Sequence, residues 1–308
     1  MYNLVGINDL GDANPSLIME DGLIEFFDWG FLGINNFSNV ARTDSEGSLN
    51  LHSDPNYAAG RVWRCQHQNL VWQSGVGATV GNDVAFPGIS GIYVDADFYP
   101  RSTTGAFAYS LDHINGRVIF DTAISTTAVL TMDYSHKHIE VLGIKDLNHL
   151  KQVFRERSGF SILNSGDYFF DPRATLDIPI IGVEIDDRRG FTPYQLGGGQ
   201  LLNNDVLFHC ISSDKEEVNR IKDIVSIQND RVIRLFDQDK IYNSGVYPIG
   251  YNGVPISGAM RYPELMDGYR HAKTLRMYDS TLDSTSNLSN KTIVKTVRMT
   301  VEMNLNIT

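Results

Sequence analysis

Apolar and polar residues alternate most regularly near the end of the chain. From Val294 onward, Lys295, Val297, Met299, Val301 and Met303 fall on one side of an extended backbone. Val294, Thr296, Arg298, Thr300 and Glu302 fall on the other. Period two predicts a strand with the Val/Met face buried and the second face solvated. Ile178 to Ile185 is β-branched and apolar, with Pro179 near its start, where a strand tolerates proline. Val206–Ile211 and Val232–Phe236 are two further strand-like runs. Between them Ser213 and Glu216 have the spacing of a capping box. Val218, Ile221 and Val225 follow at helical spacing, so residues 213–225 are predicted to form a helix with one buried face. Gly197-Gly198-Gly199 is read as a hairpin or loop between the first two strands.

The first half has a different rhythm. Ser16 to Leu32 carries enough apolar residues for a helix, weakened by Gly22 and Gly30. Arg42 to Ala59 is polar and reads as a loop. Short strands are expected at Val62–Cys65, Leu70–Trp72, Gly91–Asp95, Ala106–Ser110, Arg117–Asp121 and Ala128–Tyr134. Asn115-Gly116 signals a type I′ hairpin. His136 to Gly143 reads as the crossover to a second domain, followed by a helix over Lys145–Arg157. Asn243–Gly258 and Asp279–Lys291 read as long loops. The expected class is α+β. An N-terminal, antiparallel, sandwich-like β-rich domain (residues 1–135) precedes a C-terminal domain (136–308) built on a sheet flanked by helices.

Charge sharpens this division. Residues 1–134 hold 15 acidic against 5 basic side chains, so most of the net charge of −11 belongs to the first half. That excludes a general DNA-coating surface there and suits a basic partner or repulsion of passing DNA. No apolar run reaches membrane-spanning length, and no signal-peptide pattern opens the chain, so assembly in a cytoplasm is expected. Cys65 and Cys210 are expected to be reduced thiols.

Candidate chemistry is sparse. His136-Lys-His138 offers two imidazoles but no third ligand at a zinc spacing, so a surface strand is the preferred reading. Asp186-Asp187-Arg188-Arg189-Gly190 reads as a solvated turn rather than a catalytic loop. Asp95-Ala96-Asp97 lacks the calcium-loop pattern. The glycine run lacks a phosphate-loop ending, and no nucleophile elbow is present. Trp63 and Trp72 are candidate stacking platforms for sugars or bases, with packing preferred. Arg234, Lys240, Arg261, Arg270, Lys273 and Arg276 would form a basic patch only if folding gathered them. No cofactor, metal or catalytic residue is expected.

Three stretches carry a resemblance. They are Gly22–Leu32 with Asn36–Val40; Ser90–Asp95 through Asp112–Asp121 to Asp133-Tyr134; and Pro193–Gly197 with Val206–His209 and the helix around Asp223. Together they resemble structural proteins of contractile-tailed bacteriophages, cyanophage-like ones in particular. The third stretch resembles the neck and tail-terminator fold. The resemblance implies a non-enzymatic virion protein that joins tail to head as a ring, typically a hexamer, around the DNA channel. Its partners would be copies of itself, the head connector or other neck proteins, tail tube and sheath proteins, and DNA passing without sequence-specific binding. Subunit or partner contacts are expected at Arg188, Arg189, Tyr194, Gln195, Leu196, Gly197, Tyr251, Arg261 and Tyr262. Alternatives are a baseplate or attachment component that binds carbohydrate and, further off, an envelope-glycan hydrolase.

Overall fold

A computed structural model describes residues 15–71, 89–101, 103–113, 115–145, 179–195, 198–235, 274–289 and 292–305. Among the described residues the chain is mostly β-sheet with two α-helices, an α+β class rich in β structure. It divides into two compact units, and the described chain passes from one to the other between Asp28 and Trp29 and between His138 and Ile139. The first helix, α1 (Pro15–Gly33), gives its residues up to Asp28 to one unit and the rest to the other.

Residues 29–138 form what we term the curled unit. Its strands are β1 (Phe37–Val40), β2 (Ser48–Leu51), β3 (Val62–Arg64), β4 (Gly91–Val94) and β5 (Asp97–Pro100). They continue with β6 (Tyr109–Asp112), β7 (Arg117–Phe120), β8 (Leu130–Thr131) and β9 (Tyr134–Lys137). Seven of these form one sheet in the order β5-β4-β8-β2-β3-β7-β6, every pair antiparallel. Strand β2 is shared: Ser48 and Leu49 pair with β8, while Asn50 and Leu51 pair with β3. The sheet folds about this strand. Its halves enclose Ile92, Val94, Leu130 and Met132 together with Trp63, Leu111, Val118 and Phe120. Strands β1 and β9 form a separate antiparallel pair.

Several expectations change here. Arg42–Ala59 contains β2 and is not one loop. The expected Ala106–Ser110 strand begins only at Tyr109, after a short 3-10 turn at Gly105–Phe107. The Asn115-Gly116 hairpin exists, but Asp112 pairs with Arg117, so four residues separate the strands. Asp112 closes that loop by accepting from the Asn115 backbone N–H at 3.1 Å, and Gly116 takes φ 62. The type I′ geometry falls instead at Asp95-Ala96. These residues alone separate the paired Val94 and Asp97, with φ 50 and 76. Leu70 makes only an isolated bridge to His136. Trp72 lies outside the described residues.

The other unit, here the hairpin unit, holds residues 15–28, 139–145, 179–235 and 274–305 of those described. Its strands are β10 (Glu140–Gly143), β11 (Ile180–Gln195), β12 (Gly198–Ser212), β13 (Arg231–Arg234), β14 (Thr274–Ser289) and β15 (Thr292–Leu305). The sheet order is β10-β11-β12-β15-β14-β13, with β10 parallel to β11 and the other pairs antiparallel. The expected loop at Asp279–Lys291 is largely strand β14, paired along β15 with three register irregularities. The expected turn at Asp186–Gly190 is a bulged stretch inside β11, where the register shifts between Ile185 and Arg189.

The second helix, α2 (Lys215–Ser226), begins one residue later than the sequence signal suggested. Asp214, not Ser213, is the N-cap, and its carboxylate accepts from the Glu216 N–H at 2.8 Å. Ser212 donates to the Glu217 carboxylate. The expected helix over Lys145–Arg157 and the loop at Asn243–Gly258 fall almost wholly, and wholly, outside the described residues.

Residues opposite each other in an antiparallel ladder share a face. On one face of the long sheet lie Val183, Val206, Phe208, Val297, Met299, Val301, Met303, Leu275 and Met277, all buried. Both helices cover this face. The Phe27 ring of α1 meets the Phe208 ring edge-on at 5.2 Å. Asn219 of α2 accepts from Lys295, whose backbone register puts it on the same side. The alternation expected for β15 holds from Val297 onward. Val294 and Thr296, expected to be solvated, are buried as well.

Candidate functional site

The opposite face of the long sheet buries Ile180, Ile211 and Val294 at one end and carries polar side chains beside them. Glu184 on β11, His209 on β12 and Thr296 on β15 lie side by side. The His209 Nε2 is 2.7 Å from the Glu184 carboxylate, and its Nδ1 is 2.9 Å from the Thr296 hydroxyl. A step along the strands, Arg298 on β15 is 3.1 Å from Asp205 on β12 and 3.7 Å from Asp186 on β11. Thr300 donates to Asp205 at 3.2 Å. Gly182, paired with His209, leaves room for Ile144: a Cβ there would come within 2.7 Å of the Ile144 side chain.

Carboxylate, imidazole and hydroxyl in series resemble a nucleophilic relay in composition. Exposure decides against that use in the described state. Thr296 is only 1% exposed and His209 3%, so the hydroxyl faces no substrate. What the relay does is tie three strands at a fixed register, since a one-residue slip would bury Glu184 without His209. The sequence alone points to no chemistry at these residues. A histidine inside the apolar run Val206–Ile211 was the available signal.

Among the described residues, both edges of the long sheet are only partly covered. The short β10 covers β11 only from Ile180 to Val183, and no described strand lies outside β11 beyond that. The short β13 covers β14 only from Thr274 to Met277, and no described strand lies outside β14 from there to Ser289. The register of β14 on β15 and of β12 on β11 puts these open stretches at opposite ends of the sheet. The two strands run in opposite directions. Phe191, on the open part of β11, is 52% exposed, and Leu282, on the open part of β14, is 57% exposed.

Of the expected contact residues, Arg188 and Arg189 lie in the bulged part of β11, and Tyr194 and Gln195 close that strand. Gln195 pairs with Gly198 across the tip of the β11–β12 hairpin. Leu196, Gly197, Tyr251, Arg261 and Tyr262 lie outside the described residues. Arg234 and Arg276 share the polar face on paired strands, and Arg276 is engaged by Asp230 at 2.9 Å. The other members of the expected basic patch lie outside the described residues.

In the curled unit, Trp63 is 3% exposed and donates its indole N–H to the Gly60 carbonyl, so this ring cannot serve as a sugar platform. The His136 ring stacks on His67 at 3.9 Å and stands 5.8 Å from His138. Burial pushes the His136 imidazole down to about 4, with the neighbouring His67 and His138 adding to the effect. Among the described residues no three His, Cys, Asp or Glu side chains are placed to hold a metal ion. Asp95 of the Asp95-Ala96-Asp97 stretch instead accepts from the Val129 N–H at 2.9 Å. Cys65 and Cys210 are free and buried, and burial pushes both thiols up to about 12. Among the described residues no helix is long and apolar enough to cross a membrane.

No protein-family model matches the chain, and no curated protein matches it.

Proposed function

We propose that the protein is a structural virion component of a contractile-tailed phage, of the neck or tail-terminator kind, that assembles with copies of itself into a ring. The two half-open edges of the long sheet carry this reading. Two copies in the same orientation would bring the open part of β14 beside the open part of β11, antiparallel, which is the pairing each strand already makes with its inner neighbour. Because the open stretches lie at opposite ends, each copy must be displaced along the strands relative to the last. Tilted strands absorb such a stagger when a sheet closes on itself, and a head-to-tail contact that closes gives a ring.

Both edges carry features that hinder indiscriminate strand addition. Bulges interrupt β11 and β14, charges sit at Asp186 and Asp279, and Pro193 removes a donor from β11. Such edges suit one specific partner better than any exposed strand. The acidic surplus of residues 1–134 would keep that region off DNA and suit basic neighbours in the neck. On this reading the chain works by assembly, and the Glu184–His209–Thr296 series is structural.

The test is the molar mass in solution across concentration and salt, measured by light scattering, beside a Thr192→Cys/Thr281→Cys double variant under oxidising conditions. A discrete oligomer, with covalent ladders that stop at the same copy number, is the expected result. A protein that stays monomeric and forms no intermolecular disulfide, even when mixed with isolated tails, would overturn the reading.

A further inference from the structure

The outer face of the curled unit carries an exposed aromatic pair. Alternation along β4 and β8 sends Ile92, Val94 and Leu130 into the core. Tyr93 falls on the other face, opposite Phe98 of β5 on one side and Thr131 of β8 on the other. The Phe98 and Tyr93 rings lie 4.9 Å apart, tilted by 49°. Gly91 makes room for the first ring: a Cβ there would come within 2.6 Å of the Phe98 Cε2. Covering a strand glycine with an aromatic ring is part of the sheet's own packing. Even so, Phe98 remains 46% exposed. Val129, 63% exposed, is joined to the β4–β5 turn through its N–H and its carbonyl, which both meet Asp95.

The charges around this pair are unequal. Arg42 lies over Tyr93, its guanidinium carbon 3.9 Å from the ring centre. Asp133 accepts from the Arg42 N–H at 2.7 Å, and Asp44 accepts from the Ala41 N–H at 3.1 Å. Asp95 and Asp97, both exposed, stand at the β4–β5 turn next to Phe98. Arg101, just after β5, keeps its Nη1 buried. Among the described residues, carboxylates therefore outnumber surface cations around the rings. Tyr93 already holds a guanidinium in the stacked arrangement that an aromatic face favours. Phe98 offers the same kind of surface to another molecule.

We propose that Phe98, with Asp95 and Asp97, is where the curled unit takes a basic segment of a neighbouring protein, through an arginine that stacks on the Phe98 ring. Guanidinium is favoured over ammonium because it is planar and weakly hydrated, and its edge still reaches carboxylates. Val129 adds apolar surface beside Asp95 for an aliphatic stem. Exposed ion pairs contribute little one by one, so the ring sets the position. The acids speed the encounter and make it depend on salt. The site deepens the assembly reading, on which it rests only for the identity of the partner.

The experiment is fluorescence anisotropy of labelled hexa-arginine and hexalysine peptides, titrated with the full chain at low and physiological salt. Saturable binding is expected, weakened by salt, with hexa-arginine ahead of hexalysine by about three- to tenfold. Phe98→Leu keeps an apolar cover over Gly91 and loses the π face, so it should remove most of that preference. Phe98→Tyr restores a ring and should bind as the native chain does. Asp97→Asn should weaken both peptides by about two- to fivefold, and it tests the site even if Phe98→Leu fails to fold. Tyr57→Leu, which removes the ring under Arg61, is the control and should leave binding unchanged. Equal affinity for the two peptides, or a preference that survives in Phe98→Leu, overturns the proposal. So does displacement of hexa-arginine by maltohexaose, which would assign the ring to a sugar. The readout needs no oligomer, so it can fail while the chain still assembles, and succeed while the chain stays monomeric.

Discussion

The two units reach order by different means. In the curled unit no described strand exceeds four residues, and much of the fixing falls to side chains and turns. The Tyr109 hydroxyl of β6 holds the Tyr99 carbonyl of β5, the Trp63 indole holds Gly60, the Tyr134 hydroxyl holds Glu46 at 3.0 Å, and Asp95 clasps Val129. In the hairpin unit, strands of 14 to 16 residues zip into long ladders, and an apolar face buries itself under helices. Short strands require many local devices to hold one arrangement. Long ones need only the right period and something to cover one face.

The comparison breaks most visibly at Phe208. It is fully buried where the ladder meets α1, and Phe208→Ala should cost about 3–5 kcal/mol. Chemical denaturation should show that loss in the hairpin unit. If the whole chain shifted as one transition, the two units would not be independent in stability.

A smaller effect separates the units by pH. His113 and His136 are pushed from an ordinary 6.5 down to about 4, chiefly by burial. The unfolded chain therefore binds protons below pH 6.5 that the folded chain refuses until about pH 4. Stability from these groups is complete above pH 6.5 and is lost as pH falls towards 4. At pH 5 the buried His113 alone should cost the curled unit about 2 kcal/mol. His136 adds less, being partly solvated. Thermal melts at pH 7 and pH 5 check the sign, and His113→Gln should flatten the difference.

The smallest effect should be a gain. Ala96 holds φ 76 in a tight turn, where a side chain is strained. Ala96→Gly should stabilise the curled unit by about 0.5–1 kcal/mol. An unchanged or lower melting temperature would mean that the turn is not strained.

The same contrast explains what the sequence made legible. The periodic parts of the hairpin unit are readable: β11 as far as Ile185 and β12 from Val206 by their β-branched runs, α2 by its spacing, and β15 by its alternation, while Asp186–Gln195 and Gly198–Asp205 extend both strands beyond what those runs predict. Strand β14 was hidden because Asp279-Ser280-Thr281-Leu282-Asp283-Ser284 has the composition of a loop, and only pairing with β15 draws it into the sheet. The Asp186–Arg189 charges looked like a turn for the same reason. In the curled unit, the strands at Val62, Gly91 and Arg117 were found. The type I′ turn was assigned to Asn115-Gly116 because its usual residues stand there, while Asp95-Ala96 carries the geometry without glycine. The unpartnered nitrogens of Arg101 and His113 have no local mark in the sequence. The glycines at 197–199 mark the turn between β11 and β12, where Gln195 pairs with Gly198. How far the two edges are covered depends on where the described β10 and β13 stop, which no local pattern records.

The position of β15 also has a consequence for timing. It lies between β12 and β14 at the middle of the long sheet, yet it is made after every other strand described. While the chain is being translated, β12 and β14 must wait with their inner margins unfilled, joined to nothing that closes the sheet. Pairings such as Gln200 with Leu305 then span a long stretch of chain and form late. The outer margins proposed for assembly would acquire their shape only after that closure, so nascent chains would be kept from joining a ring too early.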